Sequence, residues 1–196
     1  MNRISSRLAR IGLAAPLVML ADVASAHPGH DAHGLLHGMA HPFGADHLLA
    51  MVAVGMWSAV ALPARKAWLG PLTFMLALVA GAALGMQTGA LAGIEPLVAL
   101  SVVLFGVLLA GARRWSVSAG LSLVAASALV HGMAHGAEWP LGVSAASYVA
   151  GFLCSTLALH VAGLGLGTVL RDARGWAWRV AGALVGSAGL LLLARV

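Results

Sequence analysis

The stretch WLGPLTFMLALVAGAALGMQT, residues 68–88, runs for 21 positions without a charged side chain. A helix rises about 1.5 Å per residue, so this run alone spans the roughly 30 Å hydrocarbon layer of a bilayer. Arg65 and Lys66 stand just before it, and the loop after it, 89–95, holds no lysine or arginine. Five further apolar segments flank it, at 36–62, 96–112, 116–135, 143–170 and 176–194. Their loops alternate in charge. Arg113 with Arg114, and Arg171 with Arg174, fill the third and fifth loops, while 136–142 is again free of both basic residues. Positive loops stay cytoplasmic, which places the start and the end of the six segments on the outer side.

The first residues agree independently. Arg3, Arg7 and Arg10 precede an apolar run at 11–21, and Ala24-Ser25-Ala26 supplies small residues for cleavage. That run is too short to span a bilayer and has the build of a secretory signal. The expected product is an all-α, polytopic inner-membrane protein of a bacterium. It comprises a cleaved signal peptide over 1–26, a histidine-rich periplasmic segment over 27–35 and a six-helix transmembrane domain over 36–196.

Composition supports this reading. Hydrophobic residues make up 61% of the 196 residues and charged residues 9%, against about 25% charged in soluble domains. The mean hydropathy is +0.95. The net charge of +5 comes from basic residues paired between apolar runs, which is a topology signal rather than a nucleic-acid face. A single cysteine, Cys154, rules out an intrachain disulfide and a multi-thiolate metal site. Gly81, Gly85, Gly89 and Gly93 recur every fourth residue, as do Gly182 and Gly186. The reading is a packing stripe that lets helices approach closely in lipid, with a homo-oligomer open.

Nine histidines in so apolar a chain need an account, because ionisable groups at membrane depth are costly and mark substrate or proton paths. His27, His30, His33, His37 and His41 step by three or four residues. They form either a metal-collecting antenna or a solvated tail. Asp46 and His47 then open a long apolar helix, with Pro42 and Gly44 set to distort its entry. Irregular backbone at membrane depth is tolerated where it lines a cavity. The competing reading makes Asp46 a helix cap. At the outer end of the fourth segment His131, His135 and Glu138 share one helical face. The competing reading there is interfacial histidines bonded to backbone. His160 lies deep in the fifth segment, either as a packing residue or on a path. The string His-Gly-Met-Ala-His occurs twice, from His37 and from His131, and its placement does not fit an inverted repeat. Imidazole with carboxylate suits nickel, cobalt or zinc, whereas magnesium and calcium want oxygen.

HPFGADHLLAMVAVG at 41–55, HGMAHGAE at 131–138 and the surroundings of His160 resemble the HupE/UreJ family of nickel and cobalt permeases. The likeness covers essentially the whole mature chain. It implies uptake of nickel(II), or sometimes cobalt(II), for metalloenzymes such as hydrogenase and urease. It also implies a role in transport for His41, Asp46 and His47, and extends to His131, His135, Glu138 and His160. One departure stands out. The family pattern usually has one more residue between the His-Pro and the Asp-His pairs, and here only Phe43, Gly44 and Ala45 intervene. In a continuous helix that deletion turns His41 by about 100° and makes His37 the alternative ligand. No nucleotide-binding motif and no convincing hydrolase motif are present, so no enzyme is expected, and the metal is substrate rather than cofactor. A membrane haem protein and a metal sensor or chaperone are the rival classes. Nickel against cobalt, and facilitated against proton-coupled transport, stay open.

Overall fold

The structure, a computed structural model, describes residues 30–89, 91–137, 144–171 and 176–196. The expected signal peptide, the side chains of His27, His30 and His33, and all of Glu138 lie outside the described residues. The described chain is helical. Helix α1 (His30–Ala40) is followed by a 3-10 turn (His41–Phe43), and then by α2 (Ala45–Ala61), α3 (Leu69–Thr88), α4 (Ile94–Ala110), α5 (Val117–Ala137), α6 (Ala145–Arg171) and α7 (Ala177–Leu193). Helix α1 crosses the boundary expected at residue 35.

Helices α3, α5 and α6 are each long and apolar enough to cross a membrane. Helices α1 and α2 make a fourth span if taken together, although they bend by 72° at the break between them. The third and sixth expected segments are present as α4 and α7, apolar helices of 17 residues each. That length gives about 26 Å of rise, shorter than the full-length spans that hydropathy suggested. Leu76, Leu84, Leu157, Leu184, Leu190 and Leu191 are exposed on the outside of the bundle, as lipid-facing residues should be.

The break is built by two residues. Pro42 sits in the first turn of the 3-10 segment, where its missing N–H costs nothing. Gly44, at φ −53° and ψ 141°, leaves the helical region and ends the turn. Its backbone N–H still donates to the His41 carbonyl, and its own carbonyl accepts from Leu48. The N-cap residue of α2 is Gly44, which has no side chain, and Asp46 stands in the first turn, where a carboxylate is favoured by the unpaired N–H groups of the helix start.

Helices distant in sequence are the ones that pack closely: α3 with α5, α4 with α7, and both α1 and α2 with α6. Glycine makes the approach possible. A Cβ on Gly81 or Gly85 would run into the carbonyls of Leu129 and Met133, and one on Gly132 or Gly136 would run into those of Leu78 and Ala82. Gly106 and Gly182 do the same for α4 and α7, and Gly55 and Gly163 for α2 and α6. Part of the expected stripe needs correction. Gly89 and Gly93 have open space around them and positive φ of 71° and 81°. They shape the turn between α3 and α4, where glycine alone is unstrained. Gly81→Leu is expected to destabilise the protein by about 1–3 kcal/mol, whereas Gly165→Leu, whose Cβ meets nothing within 4 Å, is expected to leave it unchanged. Thermal unfolding in detergent reads both. Equal midpoints for the two variants would refute the α3–α5 backbone contact.

One end of the bundle carries exposed Trp68, Trp115 and Trp176 beside the basic loops. Amphipathic aromatic rings collect at membrane surfaces. The α1–α2 break, Gly89 and Gly93 sit at the other end.

Candidate metal centre

The break turns His41 back toward α5. Its Nε2 lies 2.7 Å from Nδ1 of His135. Nε2 of His135 in turn meets Nε2 of His47, and Nδ1 of His47 lies 2.9 Å from Oδ1 of Asp46. One set of neutral tautomers gives every contact a single donor. His41 donates to His135, His135 to His47, and His47 to the carboxylate. Asp46 therefore orients an imidazole and fixes which nitrogen faces the cluster, a common arrangement beside metals. His41, Asp46, His47 and His135 line a cavity of about 190 Å³ together with Gly44, Glu95, Val98 and Ala134.

Two further imidazoles continue inward. The His131 ring stands edge-on to His47, 4.8 Å between centroids. Its Nδ1 donates to the Ser127 carbonyl at 3.0 Å, with Ser101 Oγ at 3.4 Å. The Phe74 ring touches both His131 and His160, at 5.9 and 4.9 Å between centroids. Nδ1 of His160 donates to the Thr156 carbonyl at 2.8 Å. Both rings are fully buried. Backbone bonding of these histidines is thus real, but it uses one nitrogen of each. Nε2 of His131 and of His160, and Oγ1 of Thr156, are buried without a hydrogen-bonding partner among the described residues. Leaving such groups unpaired costs about 1–3 kcal/mol each, so their presence asks for a polar guest.

Five expected site residues, His41, Asp46, His47, His131 and His135, are thus brought together, and His160 is reached through Phe74. His37 is not brought in; its side chain is exposed. The deletion between Pro42 and Asp46 does not rotate His41 away, because the helix is broken there and the 100° argument holds only for a continuous one. The two His-Gly-Met-Ala-His strings meet at their last histidines, His41 and His135, and their glycines, Gly38 and Gly132, both lie against a neighbouring helix backbone. Among the described residues no three histidine, cysteine or acidic side chains form a ready-made metal cage. The imidazoles form a string, ring against ring.

Two contributors were missed by sequence reasoning. Glu95, in the first turn of α4, lines the cavity. The chain holds only six acids, and this one borders a membrane segment, a signal that was available. Phe74 carried none, since a phenylalanine in an apolar run reads as lipid-facing.

A family model described as HupE / UreJ protein matches residues 15–192. Protein HupE of Rhizobium leguminosarum bv. viciae is 41% identical over 176 residues, covering 89% of this chain and 92% of that protein. No solved structure matches. With a family match over nearly the whole length and a relative this similar, the chain belongs to the HupE/UreJ family.

Proposed function

We propose that the protein is an inner-membrane permease that moves nickel(II), or cobalt(II), from periplasm to cytoplasm for metalloenzymes such as hydrogenase or urease. It is not an enzyme in this reading. Helices α4 and α7 complete six spans, and the imidazole cluster faces the periplasm. The observation that carries the proposal is the string of imidazoles running from the cavity into the core, ending on buried nitrogens that lack a hydrogen-bonding partner among the described residues. Neutral imidazole with carboxylate is a donor set for nickel or cobalt.

A hydrated cation enters the cavity near Glu95, Asp46, His41 and His135 and exchanges water for imidazole. His131 offers the next nitrogen. Phe74 stands between His131 and His160, so passage requires its ring to turn. An inside-negative potential favours inward movement by about 2.3 kcal/mol per charge per 100 mV, roughly twice that for a divalent ion. A cavity of about 190 Å³ lies below the roughly 300–1,000 Å³ of typical organic-cofactor sites, which favours an ion over a haem.

The test is uptake of radioactive nickel by proteoliposomes, with protein-free liposomes as background and cobalt and zinc as competitors. Uptake above background supports the permease. Folded protein that binds nickel without moving it would replace this reading with a sensor or chaperone.

Acidity should inhibit transport. Imidazole binds metal in the neutral form, so protons compete with the cation. Uptake is expected to be highest from neutral to mildly alkaline pH and to fall as the medium is acidified. A profile that stays flat from about pH 8 down to about pH 4, at constant membrane potential, would count against histidine ligation.

A further inference from the structure

The end of the bundle opposite the imidazole cluster holds a second concentration of charge. Arg113 and Arg114 after α4, Arg171 at the end of α6 and Arg179 in the first turn of α7 line one cavity of about 330 Å³. Arg113 is held by stacking over the Trp178 ring, 4.6 Å from its centroid. Arg171 reaches the carbonyls of Ala59 and Leu62, both at 3.4 Å. Neither contact supplies a full negative charge. The described acids Asp46 and Glu95 line the opposite cavity.

Topology alone does not ask for this. Cytoplasmic loops need positive charge, but the rule is satisfied by scattered residues. Arg65 and Lys66 at the same end are exposed and stay outside the cavity. Four guanidinium groups from the end of α4, the end of α6 and the start of α7, gathered around one hollow, repel each other unless an anion sits among them. Guanidinium is also the group best shaped to hold phosphate.

The neighbouring hollow indicates what kind of anion. A second cavity of about 630 Å³ shares Ala110, Gly111, Arg114 and Arg179 with the first, and adds Val107 and Trp115. Val107 and Trp115 are exposed apolar residues at the membrane-facing side. A charged pocket that opens into an apolar groove fits an amphiphile, with its anionic head among the arginines and its chain along the helix. Basic pockets between membrane helices recognise lipid headgroups on these grounds.

We propose that the arginine pocket binds the phosphodiester headgroup of an anionic phospholipid, with the start of an acyl chain lying along Val107, Ala110 and Trp115. The experiment uses full-length protein in detergent. Native mass spectrometry counts retained lipid, and thermal unfolding is followed with phosphatidylglycerol, phosphatidylcholine or inorganic phosphate. Phosphatidylglycerol is expected to be retained and to raise the unfolding midpoint, with phosphatidylcholine inert. The Arg114→Gln/Arg179→Gln variant should bind phosphatidylglycerol about 30-fold more weakly, and the single Arg114→Gln variant about fivefold. The single variant keeps the test valid if the double one folds poorly. An Arg65→Gln/Lys66→Gln control should stay within about twofold of the parent, because those residues lie outside the pocket. Equal effects of the two lipids would overturn the proposal. It would also fall if the control lost as much binding as the double variant, since that is general surface attraction. Stabilisation by inorganic phosphate without any by phosphatidylglycerol would make this a free-anion site and defeat the lipid assignment.

Discussion

Asp46→Ala is expected to reduce nickel uptake by at least about 100-fold while leaving the protein folded. The carboxylate accepts from Nδ1 of His47 at 2.9 Å and so keeps Nε2 of that ring turned toward His135. Removing a carboxylate that orients a metal-binding histidine costs about 10–100-fold in affinity or activity. Here the loss is compounded, because the same group carries a negative charge at the entrance for a divalent cation. Asp46→Asn separates the two contributions. It keeps an oxygen that can accept from His47 but removes the charge. Near-normal uptake by Asp46→Asn would make orientation the whole effect. Proteoliposome uptake normalised to folded protein, judged by size exclusion, reads both variants. Near-normal uptake by Asp46→Ala would remove the path through the α1–α2 break.

The second large effect is expected at His135. This ring is the only described side chain that contacts both His41 and His47 through its nitrogens. It therefore joins the 3-10 turn to α2 across the cavity. His135→Ala should lower uptake by about 100-fold, with the midpoint of thermal unfolding nearly unchanged. The companion variant His37→Ala should remain within about twofold of the parent, because His37 is exposed and takes no part in the cluster. Together the two decide whether the shortened spacing before Asp46 shifts the ligand role. Loss of uptake in His37→Ala with normal uptake in His41→Ala would move that role to His37.

Much of the candidate site was legible because membrane insertion makes polar residues conspicuous. An imidazole in an apolar run such as 143–170 stands out from its neighbours, as His160 does. The alternation of basic and base-free loops placed the first and fourth segments' histidines at one end, and the structure joins them there through His41, His47 and His135. Glu95 and Phe74 entered the site only through packing. Glu95 starts a helix whose position beside the break depends on α4 docking against α2. Phe74 meets His131 and His160 because α3 lies against α5 and approaches α6.

The sequence by itself determined the helical class, the membrane character and the identity of the ionisable groups. These follow from composition along short windows, because transfer of each helix into lipid depends on its own side chains. Tertiary structure alone decided that α3 pairs with α5 and α4 with α7, that α1 and α2 meet at 72°, and that Gly89 and Gly93 turn the chain instead of packing. It also decided that His37 stays outside while His41 reaches His135. Lipid offers no hydrophobic reward for one apolar face over another, so the choice of partner rests on close fit between small residues far apart in the chain. That fit is a property of two surfaces together, and neither helix carries it alone.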